Sequence, residues 1–227
     1  MVTSSSLRDT VANNGFAIVE NIASPAVEML VNALANELSA DRPGTRQLHQ
    51  RVPAALEFLR SEPMAELIAE LIPGGFPVRS IFFDKSPDRN WHVAWHQDLS
   101  ICVKERHDLP EFNAWSIKEG VQHVQPPPAV LEQMLTIRLH LDDCGVDNGP
   151  LQVIPGSHRC GRLAAEDIAS WRTQGPIKTC VLPRGGAVLM KPLLLHSSLP
   201  ASKPKHRRVL HIELASQHLP QPLEWIY

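Results

Sequence analysis

The feature that most constrains the fold of this chain is the pair His96 and Asp98 together with a distant histidine, His196. Alternate residues of a β-strand point to the same face, so His96 and Asp98 project together while Gln97 projects to the other side. His196 ends the apolar run Leu193-Leu194-Leu195, which we interpret as part of another short strand. Strands so distant in the sequence can direct side chains to one point when the chain closes into a barrel.

Two imidazoles and one carboxylate on one side of a metal ion form the facial triad of non-haem Fe(II) oxygenases. This arrangement leaves coordination positions open for a cosubstrate and for oxygen. We therefore predict that His96, Asp98 and His196 bind Fe(II) and form the catalytic centre. The alternative for His196 is a buried histidine of the core, because a histidine within an apolar run is often only a packing residue.

Two amphipathic helices are predicted in the first third of the chain. One begins at Ser24, a good N-cap, with Pro25 at the first helical position, and the other begins near Ser61. Their apolar residues recur at helical spacing, namely Val27, Leu30, Val31, Leu34 and Leu38 in the first helix and Met64, Leu67, Ile68 and Leu71 in the second. The helical part therefore covers about residues 20–75.

Short segments of strand character, separated by Gly, Pro and Asn, dominate the rest of the chain. We predict strands at residues 15–19, 78–85, 93–98, 135–142, 151–154, 177–182, 187–191 and 207–215. Such a series is typical of a double-stranded β-helix, the jelly-roll barrel of cupin-like proteins. The predicted fold is mainly β with flanking helices, as one domain over residues 1–227 with its jelly-roll core at about 77–216.

Four motifs surround the histidines in a fixed order. They are Phe83-Asp84-Lys85-Ser86-Pro87, Asn148-Gly149-Pro150-Leu151, Pro155-Gly156-Ser157-His158, and Arg207 eleven positions after His196. Over roughly residues 15 to 216 the sequence resembles the phytanoyl-CoA dioxygenase family of Fe(II)/2-oxoglutarate oxygenases, which includes ectoine hydroxylase. The resemblance implies Fe(II), 2-oxoglutarate and O2 as cofactors and cosubstrates, and oxidation of a substrate with release of succinate and carbon dioxide.

The resemblance also implies which residues bind 2-oxoglutarate. Arg207 corresponds to the arginine that binds the distal carboxylate, and Ser198 to a serine that assists it. A guanidinium group suits this task because its planar fork matches a carboxylate and keeps its charge. The adjacent Arg208 is the rival candidate, although its side chain would face the other side of the strand. With Arg207 inward, the polar face that carries Thr136, Arg138, His140, Asp142, His211 and Glu213 lies inside the barrel mouth; a solvent-facing sheet would explain the same alternation.

Two further residues are candidates for the 2-oxoglutarate site. Lys85 lies eleven residues before His96, the spacing of a cosubstrate-binding lysine in ectoine-hydroxylase-like members. The alternative is a solvated lysine beside the turn at Ser86-Pro87. Arg138 replaces an aromatic residue of the family's cosubstrate site, and its alternative role is a structural ion pair with Asp142. His158 is expected to be a turn residue rather than a ligand.

A long segment at residues 107–128 separates two predicted strands of the barrel. Long ordered loops are often lids or binding loops, so we predict a lid with Trp115, Lys118 and His123 as substrate contacts. The alternative is a packed segment in which Trp115 anchors the core. With Arg138, these residues favour a small polar or carboxylate-bearing substrate.

Composition and motifs exclude several other functions. The net charge of −2 offers no basic surface for nucleic acid, which argues against a nucleic-acid demethylase with the same cofactors. No apolar run approaches the roughly 20 residues needed to cross a bilayer, and no secretory signal is recognisable. The cysteines show no paired spacing, so we expect reduced thiols and a cytoplasmic location. Related halogenases have a small residue in place of the carboxylate ligand. Because Asp98 supplies a carboxylate, the resemblance implies hydroxylation rather than halogenation. A cupin-like metal-binding or sensing protein without turnover remains the alternative function.

Overall fold

The computed structural model describes residues 6–22, 24–37 and 44–226, with the side chains of residues 24 and 35–37 left out. Seven α-helices are present in these ranges, together with a short 3-10 helix at Ser157–Cys160: α1 (Leu7–Asn14), α2 (Ser24–Glu37), α3 (Leu48–Arg51), α4 (Pro53–Arg60), α5 (Glu62–Leu71), α6 (Pro128–Glu132) and α7 (Ala165–Gln174). None of the helices within the described ranges is long and apolar enough to cross a membrane.

Thirteen strands in the same ranges carry the fold: β1 (Phe16–Val19), β2 (Gly44–Arg46), β3 (Phe76–Lys85), β4 (Val93–His96), β5 (Ile101–Val103), β6 (Asn113–Lys118), β7 (Val121–Gln125), β8 (Leu135–His140), β9 (Leu151–Val153), β10 (Lys178–Cys180), β11 (Ala187–Met190), β12 (His196–Ser198) and β13 (Arg207–Ala215). They form a six-stranded sheet in the order β1-β11-β8-β13-β3-β2, a four-stranded sheet β10-β9-β12-β4, and a three-stranded sheet β5-β7-β6. The predicted mainly β, jelly-roll fold with flanking helices is confirmed.

The larger sheet has one apolar face and one polar face. Ile137 and Leu139 on β8 and Leu210 and Ile212 on β13 are fully buried in one cluster with residues of α1, α2, α4 and α5. Burial of such a side chain stabilises the fold by roughly 1.5–3 kcal/mol. Because alternate residues face opposite sides, the same register turns the polar residues of β8 and β13 toward the second sheet. The helices therefore cover the outside of the barrel, and the polar face lines its interior.

The element boundaries agree with several predictions and correct others. Strand β13 spans the predicted residues, β3 begins two residues earlier than predicted, and α2 begins at Ser24 as expected. Leu38, predicted within that helix, and the side chain of Ser24, predicted as its N-cap, lie outside the described residues. Helices α1, α4 and α7 were not predicted from the sequence.

The segment at residues 107–128 is a β-hairpin rather than an irregular loop. Strands β6 and β7 pair through a two-residue turn, Glu119-Gly120, in which both residues have positive φ, 52° and 80°. Positive φ at both positions is the geometry of a type I′ turn, whose twist matches that of paired strands. Strand β7 also pairs with β5, so the hairpin belongs to an ordered sheet.

Candidate functional site

Strands β4 and β12 bring the two predicted histidine ligands together. These strands are antiparallel neighbours, and their register places His96 directly opposite His196. Asp98 follows β4 and is held by its backbone N–H, which donates to the Pro192 carbonyl at 2.9 Å. Nitrogen and oxygen atoms of His96, Asp98 and His196 that could bind a metal all lie within 4.8 Å of one another.

The hydrogen bonds of both imidazoles leave one nitrogen free to face the centre. The Nδ1 atoms of His96 and His196 lie 2.8 and 2.9 Å from the backbone carbonyls of Ala94 and Leu194, which accept the Nδ1 protons. Each Nε2 therefore carries a lone pair and points to Asp98, at 3.8 Å from His96 and 3.6 Å from His196. Fixing the tautomer through the distal nitrogen is the usual arrangement of histidine ligands.

The protonation states at this centre also suit a metal ion. Burial lowers the pKa of His196 to about 4, so its imidazole is neutral at physiological pH. Burial alone would raise the pKa of Asp98, but His196, His211 and His96 together lower it below its ordinary value. The Asp98 Oδ2 atom is buried and has no hydrogen-bond partner among the described residues. An ionised carboxylate with a free oxygen beside the neutral imidazole of His196 fits a divalent cation.

A second group of predicted residues meets at one end of the barrel. The pairing of β3 with β13 places Lys85 opposite Arg207, and both side chains are buried, with 2% and 3% of their surface exposed. The Lys85 Nζ donates to the Ser198 Oγ at 3.0 Å, and Arg207 donates to the same oxygen at 3.2 Å. Arg207 also donates to the carbonyl of Gly149. Three predicted residues therefore converge on one point.

The hydrogen-bond partners of Arg138 and Arg208 decide between the roles considered for these two residues. Arg138 projects inward from β8, and its Nη1 donates to the Nδ1 of His211 at 2.9 Å. Asp142 instead accepts from the Nε and Nη2 atoms of Arg208, at 2.8 and 2.5 Å. The structure contradicts the proposed ion pair between Arg138 and Asp142. It also places Arg208 on the opposite face from Arg207, as the strand alternation predicts.

Lys85, Arg138 and Arg207 form a buried cationic cluster. Burial, followed by repulsion from Arg207 and Arg138, lowers the pKa of Lys85 to about 8. Burial and Arg207 likewise lower the pKa of Arg138 to about 10. The Nε atoms of both arginines are buried without a partner, and no carboxylate of the described residues pairs with any of the three cations. Such uncompensated buried charge is costly, which indicates a site for an anionic ligand.

A chain of interactions that the sequence did not single out continues from this cluster. The Nε2 of His211 lies 3.2 Å from the Glu213 Oε1 and 3.9 Å from the Asp98 Oδ2. Arg79 donates to the same Glu213 oxygen at 3.0 Å. His211 and Glu213 belong to the polar face of β13 that was predicted to lie inside the barrel, so alternation was the signal that could have identified them.

Arg138 and Arg207 of the cationic cluster line one cavity of about 240 Å³ together with the histidines. Its walls are Ile81, Phe83, Trp91, Val93 and Leu151, and its charged lining residues are Arg46, Arg79, Asp98, Arg138, Arg207 and Glu213. The volume is near the lower end of the range for small-molecule sites. A small ligand therefore fits between the two sheets.

The predicted substrate contacts of the hairpin do not line this cavity. His123 is buried and lies 3.3 Å from the Cys102 sulfur, while Lys118 is exposed. Trp115 packs against an apolar cluster, with the Arg106 guanidinium 5.4 Å from its ring centroid. The difference arises because β6 and β7 form an ordered sheet with β5, in which Trp115 and His123 are packing residues. The packed alternative for Trp115 agrees with the structure.

The glycine motif shapes the cationic end of the cavity. Gly149 has a φ of 60°, and a Cβ at this position would lie 2.6 Å from the Leu199 carbonyl oxygen. A side chain is therefore excluded here by both backbone conformation and space. His158, from the neighbouring motif, lies in a short 3-10 helix (Ser157–Cys160) rather than in the predicted turn, and its Nε2 is 3.2 Å from the Ala12 carbonyl.

Comparison with known proteins identifies the family. The sequence profile described as "Phytanoyl-CoA dioxygenase (PhyH)" matches residues 11–209. The chain belongs to the phytanoyl-CoA dioxygenase family. No curated protein matches the sequence significantly. The PhyH match covers both histidines, Asp98 and Arg207, and it confirms the family predicted from the motifs.

Solved structures share the fold at low identity. EctD from S. alaskensis, in complex with 2-oxoglutarate and 5-hydroxyectoine, has a TM-score of 0.71 and 21% identity, over 94% of this chain and 77% of that chain. AviO1 from Streptomyces viridochromogenes Tue57 has a TM-score of 0.64 and 24% identity, over 96% and 99% of the two chains. The epimerase SnoN, in complex with Fe3+, alpha ketoglutarate and nogalamycin RO, has a TM-score of 0.70 and 16% identity, over 92% and 82%.

These neighbours agree with the predicted cofactors, since iron and 2-oxoglutarate are bound in several of them. Together with the PhyH match, they support an Fe/2-oxoglutarate-dependent oxygenase. They also include an epimerase and a carbocyclase, so members of this fold differ in the outcome of their reactions.

Proposed function

We propose that this PhyH protein is an Fe(II)/2-oxoglutarate-dependent hydroxylase of a small polar or carboxylate-bearing metabolite. The observation that carries the proposal is the adjacency of two complementary sites in one cavity. One is the group of His96, Asp98 and His196, in which the His196 imidazole is neutral and the Asp98 Oδ2 has no hydrogen-bond partner among the described residues. The other is the uncompensated cationic cluster, of which Arg138 and Arg207 line the cavity and Lys85 shares the Ser198 oxygen with Arg207.

The proposed roles follow from these positions. His96, Asp98 and His196 would hold Fe(II), whose chemistry with 2-oxoglutarate and O2 couples decarboxylation to succinate and carbon dioxide with substrate oxidation. Arg207 would bind the distal carboxylate of 2-oxoglutarate through its planar fork, because its Nε is buried and unpaired. Ser198 would fix that geometry by accepting hydrogen bonds from both cations.

Lys85 and Arg138 would add positive charge around the bound dianion. Both lie within the barrel, where low polarisability strengthens electrostatic attraction. His211 would orient Arg138, since its unprotonated Nδ1 accepts from the guanidinium. The apolar side chains of Phe83 and Trp91 would exclude water from the remaining space. These contributions are binding, orientation and exclusion of water, as expected when a cofactor supplies the chemistry.

Hydroxylation is favoured over halogenation because Asp98 supplies a carboxylate where halogenases have a small residue. A protein that binds metal without turnover is the second candidate. The chain has both Asp98 and Arg207, which argues against this second candidate, because a protein that had lost turnover would be expected to lack one of them. We extend the proposal to one domain over residues 1–227 and, because all four cysteines are free, to a cytoplasmic location.

The test is succinate release by purified protein supplied with Fe(II), 2-oxoglutarate and oxygen, screened against a library of small metabolites. We expect slow release without substrate and stimulated release with a polar or carboxylate-bearing compound, accompanied by a product heavier by one oxygen atom. The Arg207→Ala variant should lose both the slow and the stimulated release of succinate, and Arg208→Ala should retain both. Binding of iron and 2-oxoglutarate without any succinate would support the sensing protein instead.

A further inference from the structure

Among the described residues, one cation of the cavity has neither a role in the function proposed above nor a buried carboxylate partner. Four arginines of the described residues line the cavity: Arg46, Arg79, Arg138 and Arg207. Arg138 and Arg207 belong to the cationic cluster, and Arg79 is neutralised by the buried Glu213 at 3.0 Å. Arg46 is therefore the cation of the lining that is left for another ligand.

The register of the larger sheet explains why Arg46 faces the cavity. Strand β2 is the edge strand, and Arg46 lies opposite Ile81 on β3, which in turn lies opposite His211 on β13. Residues in one row across a sheet share a face, so Arg46 points inward while Thr45 points outward. Its backbone is two strand spacings, roughly 10 Å, from that of His211. Arg46 thus lies at the mouth, on the same row as the residues around the histidines.

A carboxylate from another part of the chain already occupies Arg46. The Glu119 Oε1 accepts from the Arg46 Nη1 at 2.7 Å, and the two side chains are 34% and 36% exposed. Glu119 lies at the tip of the β6–β7 hairpin, in the type I′ turn, and is not a lining residue of the cavity. The Nε of Arg46 is buried and has no hydrogen-bond partner among the described residues. The guanidinium therefore has donor capacity remaining, and a pair this exposed is weak enough to be exchanged.

We propose that the substrate carries a carboxylate that binds Arg46 and displaces Glu119. This inference rests on the proposed oxygenase function and assigns the substrate class and the residue that selects it. Glu119 then marks the position of the substrate carboxylate at the cavity mouth. Its release would also free the tip of the β6–β7 hairpin from β2, so the hairpin would contribute through Glu119 rather than through Trp115.

The experiment uses the full chain loaded anaerobically with Fe(II) and saturating 2-oxoglutarate. The measured signal is the visible charge-transfer band of this complex. The probes are propanoate, butanoate, pentanoate and hexanoate, each compared with its primary amide. We expect the acids to perturb the band and the amides to leave it unchanged. Glu119→Gln should lower the half-saturating acid concentration roughly two- to fivefold, because it removes the competing carboxylate. Arg46→Gln should raise that concentration at least about tenfold, and Arg46→Lys less.

Three controls separate this inference from a surface ion pair that only holds the hairpin. Arg184 is 33% exposed and pairs with Glu28 away from the cavity, so Arg184→Gln and Glu28→Gln should change nothing. Adding Glu119→Gln to Arg46→Gln should give no gain, since Glu119 acts through Arg46. Calorimetry should give the same 2-oxoglutarate affinity for Arg46→Gln and the unmodified protein.

The outcomes distinguish the two proposals. A missing band in the unmodified protein contradicts the oxygenase function itself. A normal band that responds equally to acids and amides, or to neither, overturns the inference about Arg46. A weaker or unchanged acid response in Glu119→Gln also overturns it, because a purely structural pair would produce that result.

Discussion

Lys85 should take up a proton when 2-oxoglutarate binds. Its pKa is lowered from 10.5 to about 8, first by burial and then by Arg207 and Arg138. At about 1.4 kcal/mol per pKa unit, keeping Lys85 charged in the anion-free protein costs on the order of 3 kcal/mol. Because the folded pKa lies below the unfolded value, this cost is complete below pH 8 and disappears as the pH rises to 10.5. The anion-free protein should therefore gain stability over that range.

A bound dianion reverses the shift, because an opposite charge favours the protonated amine. At pH 8 about half of the Lys85 side chains are neutral before binding, so uptake should be about half a proton per 2-oxoglutarate. At pH 7 the uptake should fall to about a tenth of a proton, since Lys85 is then already charged. Lys85→Met should abolish the uptake and weaken 2-oxoglutarate binding, and it should not destabilise the anion-free protein.

The assay is calorimetric titration with 2-oxoglutarate in buffers of different ionisation enthalpy, with Mn(II) in place of Fe(II) to prevent oxidation. Lys191→Met is the matched control. The pKa of Lys191 is also lowered by burial, but its Nζ donates to the Glu132 carbonyl at 2.8 Å, outside the cavity. Uptake that is absent at pH 8, or that persists in Lys85→Met, would refute the assignment of Lys85 to the cosubstrate site.

Three further predictions concern other parts of the structure. Arg207→Ala should weaken 2-oxoglutarate binding by about 2–5 kcal/mol in calorimetry. Arg208→Ala, which loses only the ion pair with Asp142, should leave that binding unchanged. The reverse order would show that Arg208, and not Arg207, faces the cavity. Trp115→Ala should lower the free energy of unfolding, measured in urea, by about 1–3 kcal/mol because Trp115 packs against an apolar cluster. The ratio of product to succinate should stay unchanged. A strong decrease in that ratio would instead support the lid hypothesis. Glu213→Gln should lower the free energy of unfolding by about 2–4 kcal/mol because it leaves the buried Arg79 charge unpaired. Adding Arg79→Met to this variant should recover part of that loss. If the effects of the two substitutions simply add in the double variant, the pairing is contradicted.

The inner residues of the barrel were predictable because strand alternation is strict. Once Arg207 was taken to face inward, the same phase placed His211 and Glu213 beside it and Arg208 outside. The pairing of His96 with His196 could be expected only as convergence in a barrel. Their direct register depends on the pairing of β4 with β12, which no local pattern specifies.

Arg46 and the hairpin were harder to predict for physical reasons. Strand β2 has three residues, too few to show an alternating pattern, and its position depends on pairing with β3. The hairpin at residues 107–128 carries mostly exposed side chains on β6, so no apolar face distinguished it from a loop. Its tight turn uses Glu119 at positive φ, a conformation that glutamate seldom adopts and that turn patterns therefore do not reveal.

The most direct test of the central claim is the visible charge-transfer band of the anaerobic protein with Fe(II) and 2-oxoglutarate. The unmodified protein should show the band, and His96→Ala, Asp98→Ala and His196→Ala should each abolish it. His158→Ala should retain it, because that histidine lies in a short 3-10 helix and does not line the cavity. A band that persists in any of the first three variants would remove that residue from the metal site, and its absence from the unmodified protein would contradict the Fe(II)/2-oxoglutarate centre.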